Sequence, residues 1–480
     1  MLRLAWTMLA LLALLVANLQ FQQLGRSAEL ADEPGNRRAL IQRFATQRGP
    51  IVLGDEAAAR SVRTDGASEF DYLRTYPLDT RAAHVLGWSS TVVGTAGVER
   101  AYDERLTAGS NEVLAANLAE LFGQQDAVGD TVRLTLEPEV QAAAERALGD
   151  RTGAVVVLDP RTGEVLAHAS SPAYDPAPLA DHDRGAALDA WNAYRTDPGQ
   201  PLLDRAISEL YPPGSAFKLV VAAAALEDGL SPGTAFPDDP QFRPSVGQPI
   251  GNFGDGTCDG GGTIEFARAL AVSCNTVFAR LGVELGEDAL MEQAQRFGFM
   301  RQIPYELTPA VSRFPSNLDD AQLAQAGIGQ FDVRATVMQM AVVAAAIAND
   351  GVLLRPHVVR DVRDPTAALL DGPEDGPWRA DGFAAEAVSS RTATQLQDMM
   401  VDAVERGTGT RAAIPGVRVG GKTGTAQDPS DDSDTAWFVG FADDVAAIAV
   451  VLPDAGGGTG GSEAAPVARA VLEAAVLARS

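Results

Sequence analysis

A chain of 480 residues is longer than one core ordinarily spans, so two or three domains are expected. An apolar fraction of 46% against 21% charged residues is ordinary for a globular protein, and the few aromatics leave its core to Val, Leu, Ile and Ala. A formal net charge of −26 speaks against nucleic acid or anionic lipid as a surface partner.

About 18 predominantly apolar, uncharged residues run from Leu4 to Phe21, the lower end of a membrane-spanning length. No small-x-small cleavage site follows Ala17, so an uncleaved signal anchor over residues 1–22 is favoured over a removed signal peptide. Arg3 and the amino terminus predict a cytoplasmic tip and an exported body. Residues 23–150 are polar and mixed, and carry no evident catalytic constellation. Near their end Val132–Leu136 alternates as a strand should, and Pro138 suits the first turn of a helix running to Leu148.

A second pattern, 151–480, begins with two strand-like runs, Ala154–Leu158 and Glu164–His168, about a strong turn signal at Asp159–Gly163. A Pro/Asp-rich loop to about Pro201 precedes an apolar helix, Phe217–Glu227, closed by Gly229. Residues 230–262 read as loop, and helical patterns resume near Thr263, around Met291 and over Ala335–Asn349. Strands return at Val417–Thr425, Trp437–Phe441 and Val445–Val451, followed by a last helix from about Glu463 to Leu477. Strands at both ends of a helical middle predict one α+β domain whose sheet is completed by the C-terminus.

Only two of the 38 basic residues are lysines, Lys218 and Lys422, and the rest are arginine. A lysine can lose its proton and act as a base where a guanidinium cannot. Lys218 follows Ser215 by three residues at a helix start, so amine and hydroxyl can meet. The amine can activate the serine, and the Ser215 N–H can face a developing oxyanion. Between the lysines lies Ser273-Cys-Asn275, suited to proton shuttling and to an amide contact, although N-capping explains that tripeptide alone as well. Lys422-Thr-Gly-Thr425 ends a strand, where an exposed cationic edge suits a peptide carboxylate. Thr423 and Thr425 add hydroxyl contacts there, and the Thr425 N–H a second oxyanion donor. Gly416–Thr423 also fits the phosphate-loop pattern, but Gly424 and a Pro/Asp-rich loop follow where that motif needs a helix. His84, His168, His182 and His357 lack metal-ligand spacing, and no metal is expected. Cys258 and Cys274 fit a disulfide in an exported chain, and equally two thiols packed as small apolar groups.

The order Ser-x-x-Lys, Ser-x-Asn, Lys-Thr-Gly resembles that of the penicillin-binding serine acyltransferases. Arg48-Gly-Pro-Ile51, Gly97–Asp103, Thr135–Gln141, Leu158–Ala167, Tyr211–Lys218, Gly421–Ala426 and Trp437–Phe441 extend the likeness over nearly the whole chain. The chain is identified as resembling the class B penicillin-binding proteins, most of all the actinobacterial penicillin-binding protein A group. The resemblance implies a transpeptidase domain of serine β-lactamase-like fold, an antiparallel sheet with a helical subdomain, behind a non-catalytic pedestal and a membrane anchor. It implies that Ser215 attacks the penultimate D-Ala carbonyl of a peptidoglycan stem peptide and Lys218 takes the proton. Ser273 and Asn275 then assist proton transfer and positioning, and Lys422, Thr423, Gly424 and Thr425 hold the substrate. β-Lactams are expected to acylate Ser215, with no cofactor. A separate glycosyltransferase and other division or elongation proteins are the expected partners, and a Cys258–Cys274 bridge is expected to brace the site. Cys274 departs from the Ser or Asp commoner at that position, and Glu137 stands where Asp is frequent. The rival readings are a D,D-carboxypeptidase, a serine β-lactamase, which would need a dedicated deacylating base, and a mainly scaffolding component.

Overall fold

Five strands build the sheet that carries the third motif. In order across the sheet they are Val419–Gln427, Asp434–Ala442, Ala446–Leu452, Gly153–Leu158 and Val165–Ser171, each antiparallel to its neighbour. The first-coming hairpin and the last three strands therefore meet between Ala446–Leu452 and Gly153–Leu158, as strands at both ends of the domain predict. The computed structural model describes residues 44–479 apart from 67–68, 108–127, 255, 372–385 and 428–433, together with six positions between Trp6 and Leu15.

The central strands read as continuous apolar runs because both of their faces are covered. Val155, Val157, Ile448 and Val450 meet the helices Pro138–Leu148 and Ala465–Arg479 on one side. Val156, Ala449 and Val451 belong to the main core on the other, with the helix Val337–Ala348. Each fully buried Val or Ile contributes roughly 1.5–3 kcal/mol. The helix Lys218–Glu227 is apolar around its whole circumference, and Leu219 to Leu226 are all buried, so it runs through the core rather than along its surface.

A second sheet of six strands runs Leu369–Asp371, Val359–Arg363, Thr131–Leu134, Ile51–Leu53, Glu56–Arg63, Tyr72–Thr75. Its strands at 359–371 come from beyond the division expected at residue 150, so the two parts of the chain share a sheet. Thr135 fastens the seam, its hydroxyl donating to the carbonyls of Val165 (2.7 Å) and His357 (3.2 Å). Of the strands before residue 76, Ile51–Leu53 and Tyr72–Thr75 are too short to show a period, and Glu56–Arg63 buries the adjacent Ala58 and Ala59 rather than alternate positions. A fully buried carboxylate, Glu99, organises this module. It accepts from Arg48 and Arg74, each at 2.6 Å, while Arg48 also reaches Asp103 at 2.7 Å.

Most of the apolar stretch expected to anchor the chain lies outside the described residues. Its described positions, Trp6, Met8, Leu11, Leu12, Leu14 and Leu15, are helical and exposed. Among the described residues no helix is long and apolar enough to cross a membrane.

Candidate active site

The turn bearing Ser215 is clamped from three sides. Tyr211 exchanges backbone hydrogen bonds with Ala335 (3.0 and 2.9 Å), Gly214 N–H donates to the Gly329 carbonyl (3.0 Å), and the buried Trp437 indole donates to the Pro212 carbonyl (3.0 Å). Gly214 has φ +49°, and a side chain there would meet the Thr425 carbonyl at 2.7 Å. Reciprocally, a Cβ on Gly424 would lie 2.7 Å from the Pro213 carbonyl and 3.1 Å from the Ala216 nitrogen. The glycines of the first and third motifs thus let the nucleophile turn sit directly on the strand. Ser215 occupies a 3₁₀ turn, Gly214–Phe217, which runs straight into the Lys218 helix.

The second motif is a hinge between helices. The helix Phe266–Ala271 closes with Ser273 and Cys274 donating back to Leu270 (3.1 Å) and Ala269 (2.8 Å). This places Ser273 in the left-handed region, φ 63°, at a cost of order 1–3 kcal/mol. Asn275 then opens the helix Asn275–Arg296, and Cys274 between them is bonded to Cys258. Lys218 Nζ donates to the Ser273 carbonyl and to Asn275 Oδ1, both at 2.8 Å, with Ser273 Oγ at 3.3 Å. Asn275 Nδ2 in turn donates to the Gly251 carbonyl (3.1 Å).

In the third motif the strand period of two separates the residues. Thr423 and Thr425 line the cleft. The Thr423 hydroxyl lies 2.6 Å from that of Thr408, and Thr425 Oγ1 accepts from the Gly460 N–H at 3.2 Å. Lys422, expected as an exposed cationic edge, is instead completely buried, with Nζ donating to the Thr423 carbonyl at 2.9 Å. The correction has a simple cause: Lys422 shares the face of Gly424, which packs against the nucleophile turn.

Burial lowers the pKa of both lysines. Lys422 is brought down to about 7, and Lys218 lies well below the ordinary lysine range, through desolvation first and the nearby Lys422 charge second. A neutral Lys218 has two N–H groups, matched to the Ser273 carbonyl and Asn275 Oδ1, and one lone pair left to accept a hydroxyl proton. Its hydrogen bonds run to the second motif rather than to Ser215.

Ser215, Ser273, Asn275, Thr423 and Thr425 line one cleft of about 300 Å³. Sequence reasoning missed its other walls: Thr408, Thr459, Gln330, Asn252 and Phe253 belong to no motif, and no local signal marks them. The phosphate-loop reading does not stand, because Val419–Gln427 is a strand that continues into the sheet. Asp238, Cys258 and Cys274 form a cluster of metal-ligand type, but the sulfurs are bonded to each other. The Asp238 carboxylate already accepts the N–H groups of Cys258 (2.6 Å), Asp259 and Gly261 (both 2.8 Å).

The penicillin-binding protein transpeptidase domain matches residues 153–473, and the dimerisation domain of penicillin-binding protein A matches residues 48–132. The chain is 40% identical to the peptidoglycan D,D-transpeptidase PbpA of Mycolicibacterium smegmatis, over 99% of this chain and 98% of that one. It is 37% identical to the PbpA of Mycobacterium tuberculosis, over 99% and 98%. The penicillin G acyl-enzyme complex of penicillin-binding protein A from M. tuberculosis superposes with a TM-score of 0.83 at 36% identity, covering 90% of this chain and all of that one. A second solved structure, the D,D-transpeptidase domain of a peptidoglycan glycosyltransferase from Eggerthella lenta, gives 0.78 at 34% identity, covering 91% and 99%. With its three motifs converging on one cleft, the chain belongs to the penicillin-binding protein transpeptidase family.

Proposed function

We propose that this protein is a peptidoglycan D,D-transpeptidase working through an acyl-enzyme on Ser215. The observation that carries the reading is the buried Lys218, held at 2.8 Å to Asn275 beside the nucleophile turn. An extended stem peptide pairs along the edge strand Val419–Gln427. Ser215 Oγ attacks the penultimate D-Ala carbonyl and its proton passes to Lys218. The oxyanion sits between the N–H groups of Ser215 and Thr425. Ser273 Oγ relays the proton to the departing nitrogen, and D-Ala leaves. The acceptor amine of a second stem then attacks the ester, and the relay runs in reverse. The terminal carboxylate meets the Thr423 and Thr425 hydroxyls, with the Lys422 charge beneath them.

β-Lactams acylate the same serine. Among the described residues lining the cleft none is a carboxylate or a histidine, which supports a long-lived acyl group rather than rapid hydrolysis. Anchoring through the Leu4–Phe21 stretch, with the catalytic body on the extracytoplasmic side, is part of the proposal. The exposed apolar positions from Trp6 to Leu15 support it. Glycan polymerisation is assigned to a separate glycosyltransferase, and contacts with division or elongation proteins to residues 23–150.

The test is labelling with fluorescent penicillin beside Ser215→Ala and Lys218→Arg, with D-Ala release measured with and without an acceptor amine. Labelling of wild type alone, and cross-linked product with acceptor, is expected. An unlabelled folded wild type would overturn the proposal, and D-Ala release without cross-linking would make the enzyme a carboxypeptidase.

A further inference from the structure

A second cavity, of about 600 Å³, opens at the seam between the N-terminal module and the catalytic domain, and its size is that of an ordinary ligand site. It shares no lining residue with the cleft that holds Ser215. His84, Trp88 and Arg100 come to its walls from the N-terminal module, and Tyr174, Asp204 and Glu306 from the catalytic domain. The seam therefore divides the charges, with the cation on one side and both carboxylates on the other. Arg100 is exposed and makes no hydrogen bond or ion pair among the described residues. Asp204 is already satisfied: His168 Nε2 lies 2.9 Å from both of its oxygens, and the Ala206 N–H donates to it at 3.1 Å. Glu306 accepts only long backbone bonds, from Val358 at 3.2 and 3.3 Å and from Val359 at 3.3 Å. Its charge reaches across the seam, since Tyr102 is held above the ordinary tyrosine range by burial first and by Glu306 second. Opposite charges thus line one cavity without bridging it.

An aromatic wall accompanies them. The Trp88 and Tyr174 rings meet edge to face at 5.7 Å, and His84 meets Tyr174 in the same way at 5.3 Å. Thr308, also in the lining, has φ 49°, a left-handed conformation that a β-branched residue rarely takes. Strain of this kind gathers where ligands are held. We infer that the seam cavity is a second ligand site, for an α-amino-acid zwitterion bearing a hydrocarbon side chain. The carboxylate meets Arg100, the ammonium meets Glu306, and the chain lies along the Trp88 and Tyr174 rings. Ser208, another lining residue, stands seven positions before Ser215, so the ligand joins the N-terminal module to the segment that leads to the nucleophile turn. The inference does not rest on the chemistry at Ser215.

The test is calorimetric titration of the full chain in detergent with norleucine, before and after treatment with benzylpenicillin. Norleucine is expected to bind with a dissociation constant below about 10 mM, equally in both cases. Arg100→Gln weakens it roughly ten-fold, whereas norleucinamide, which lacks the carboxylate, binds wild type and Arg100→Gln alike. N-Acetylnorleucine lacks the ammonium, and wild type and Glu306→Gln bind it alike. Alanine, the class of product set free at Ser215, has both charges but no chain, and binds roughly ten-fold more weakly than norleucine. Glu306 also holds two backbone N–H groups, so a thermal melt accompanies its variant; Arg100 holds nothing else, and Arg100→Gln keeps the test decisive. No saturable binding, binding abolished by benzylpenicillin, alanine bound as tightly as norleucine, or an Arg100→Gln protein that binds norleucine as wild type does would each overturn the inference.

Discussion

Replacing Gly424 by alanine tests whether the nucleophile turn is positioned by direct contact with the strand. A Cβ at that position would lie 2.7 Å from the Pro213 carbonyl oxygen, 2.9 Å from Trp437 Cβ and 3.1 Å from the Ala216 nitrogen. An ordinary contact begins near about 3.5 Å, so turn and strand must part by roughly 0.8 Å at the closest point. The turn cannot yield locally, because Pro212 is held by the Trp437 indole and Gly214 by Gly329. It moves as a unit and carries Ser215 away from the Thr425 N–H. Misplacing reacting groups by about 1 Å costs on the order of 100-fold, so acylation by penicillin is expected to slow by at least roughly ten-fold. The overpacking itself costs about 1–3 kcal/mol of stability. Stopped-flow acylation beside a thermal melt reads both quantities. Gly233→Ala, where an added Cβ meets nothing within 4 Å, is the control and leaves both unchanged. Acylation of Gly424→Ala within three-fold of wild type would refute the reasoning.

The two lysines predict a bell-shaped pH profile for the second-order acylation rate. It falls on the acid side as Lys218 takes up a proton, and on the alkaline side above about 7 as Lys422 loses its charge. A profile flat from pH 6 to 9 would contradict it. Lys422→Met is expected to stabilise the fold while slowing acylation. A lysine whose folded pKa drops from 10.5 to about 7 imposes no cost above the unfolded value, a growing one as pH falls between the two, and the full cost below about 7. The gain, on the order of a few kcal/mol at pH 7, therefore shrinks toward pH 10, and parallel stability curves for the two proteins would sink the argument. Glu99→Gln leaves Arg48 and Arg74 facing each other without their shared carboxylate, and should lower stability by about 3–5 kcal/mol in urea unfolding. An unchanged midpoint would mean that this module does not depend on the cluster. Trp437→Phe removes the donor to Pro212. Without it acylation should slow several-fold at a stability cost of about 1 kcal/mol, and an unaltered rate would free the indole from any positioning role.

The chemistry was legible where a residue type is costly to keep. Two lysines in a chain that otherwise uses arginine mark Lys218 and Lys422 without any structure, and Ser215 follows from spacing alone. The central sheet was legible for a related reason, since Ala154–Leu158 and Val445–Val451 have no fate but burial on both faces. What periodicity cannot carry is pairing across long separations. Nothing local announces that Val359–Arg363 crosses back to Thr131–Leu134, or that Arg74 completes the ion cluster begun by Arg48 and Glu99. The orientation of Lys422 was misread for the same reason. Motif spacing puts a cation on a strand, but which face is solvent is decided by Gly424 and Gly214, whose missing side chains let another segment close over it. The same two glycines therefore bury the lysine, lower its pKa and set the distance between nucleophile and strand. Stability given up to desolvate an amine and geometry gained at Ser215 have one origin, and a substitution that relieves the first is bound to disturb the second.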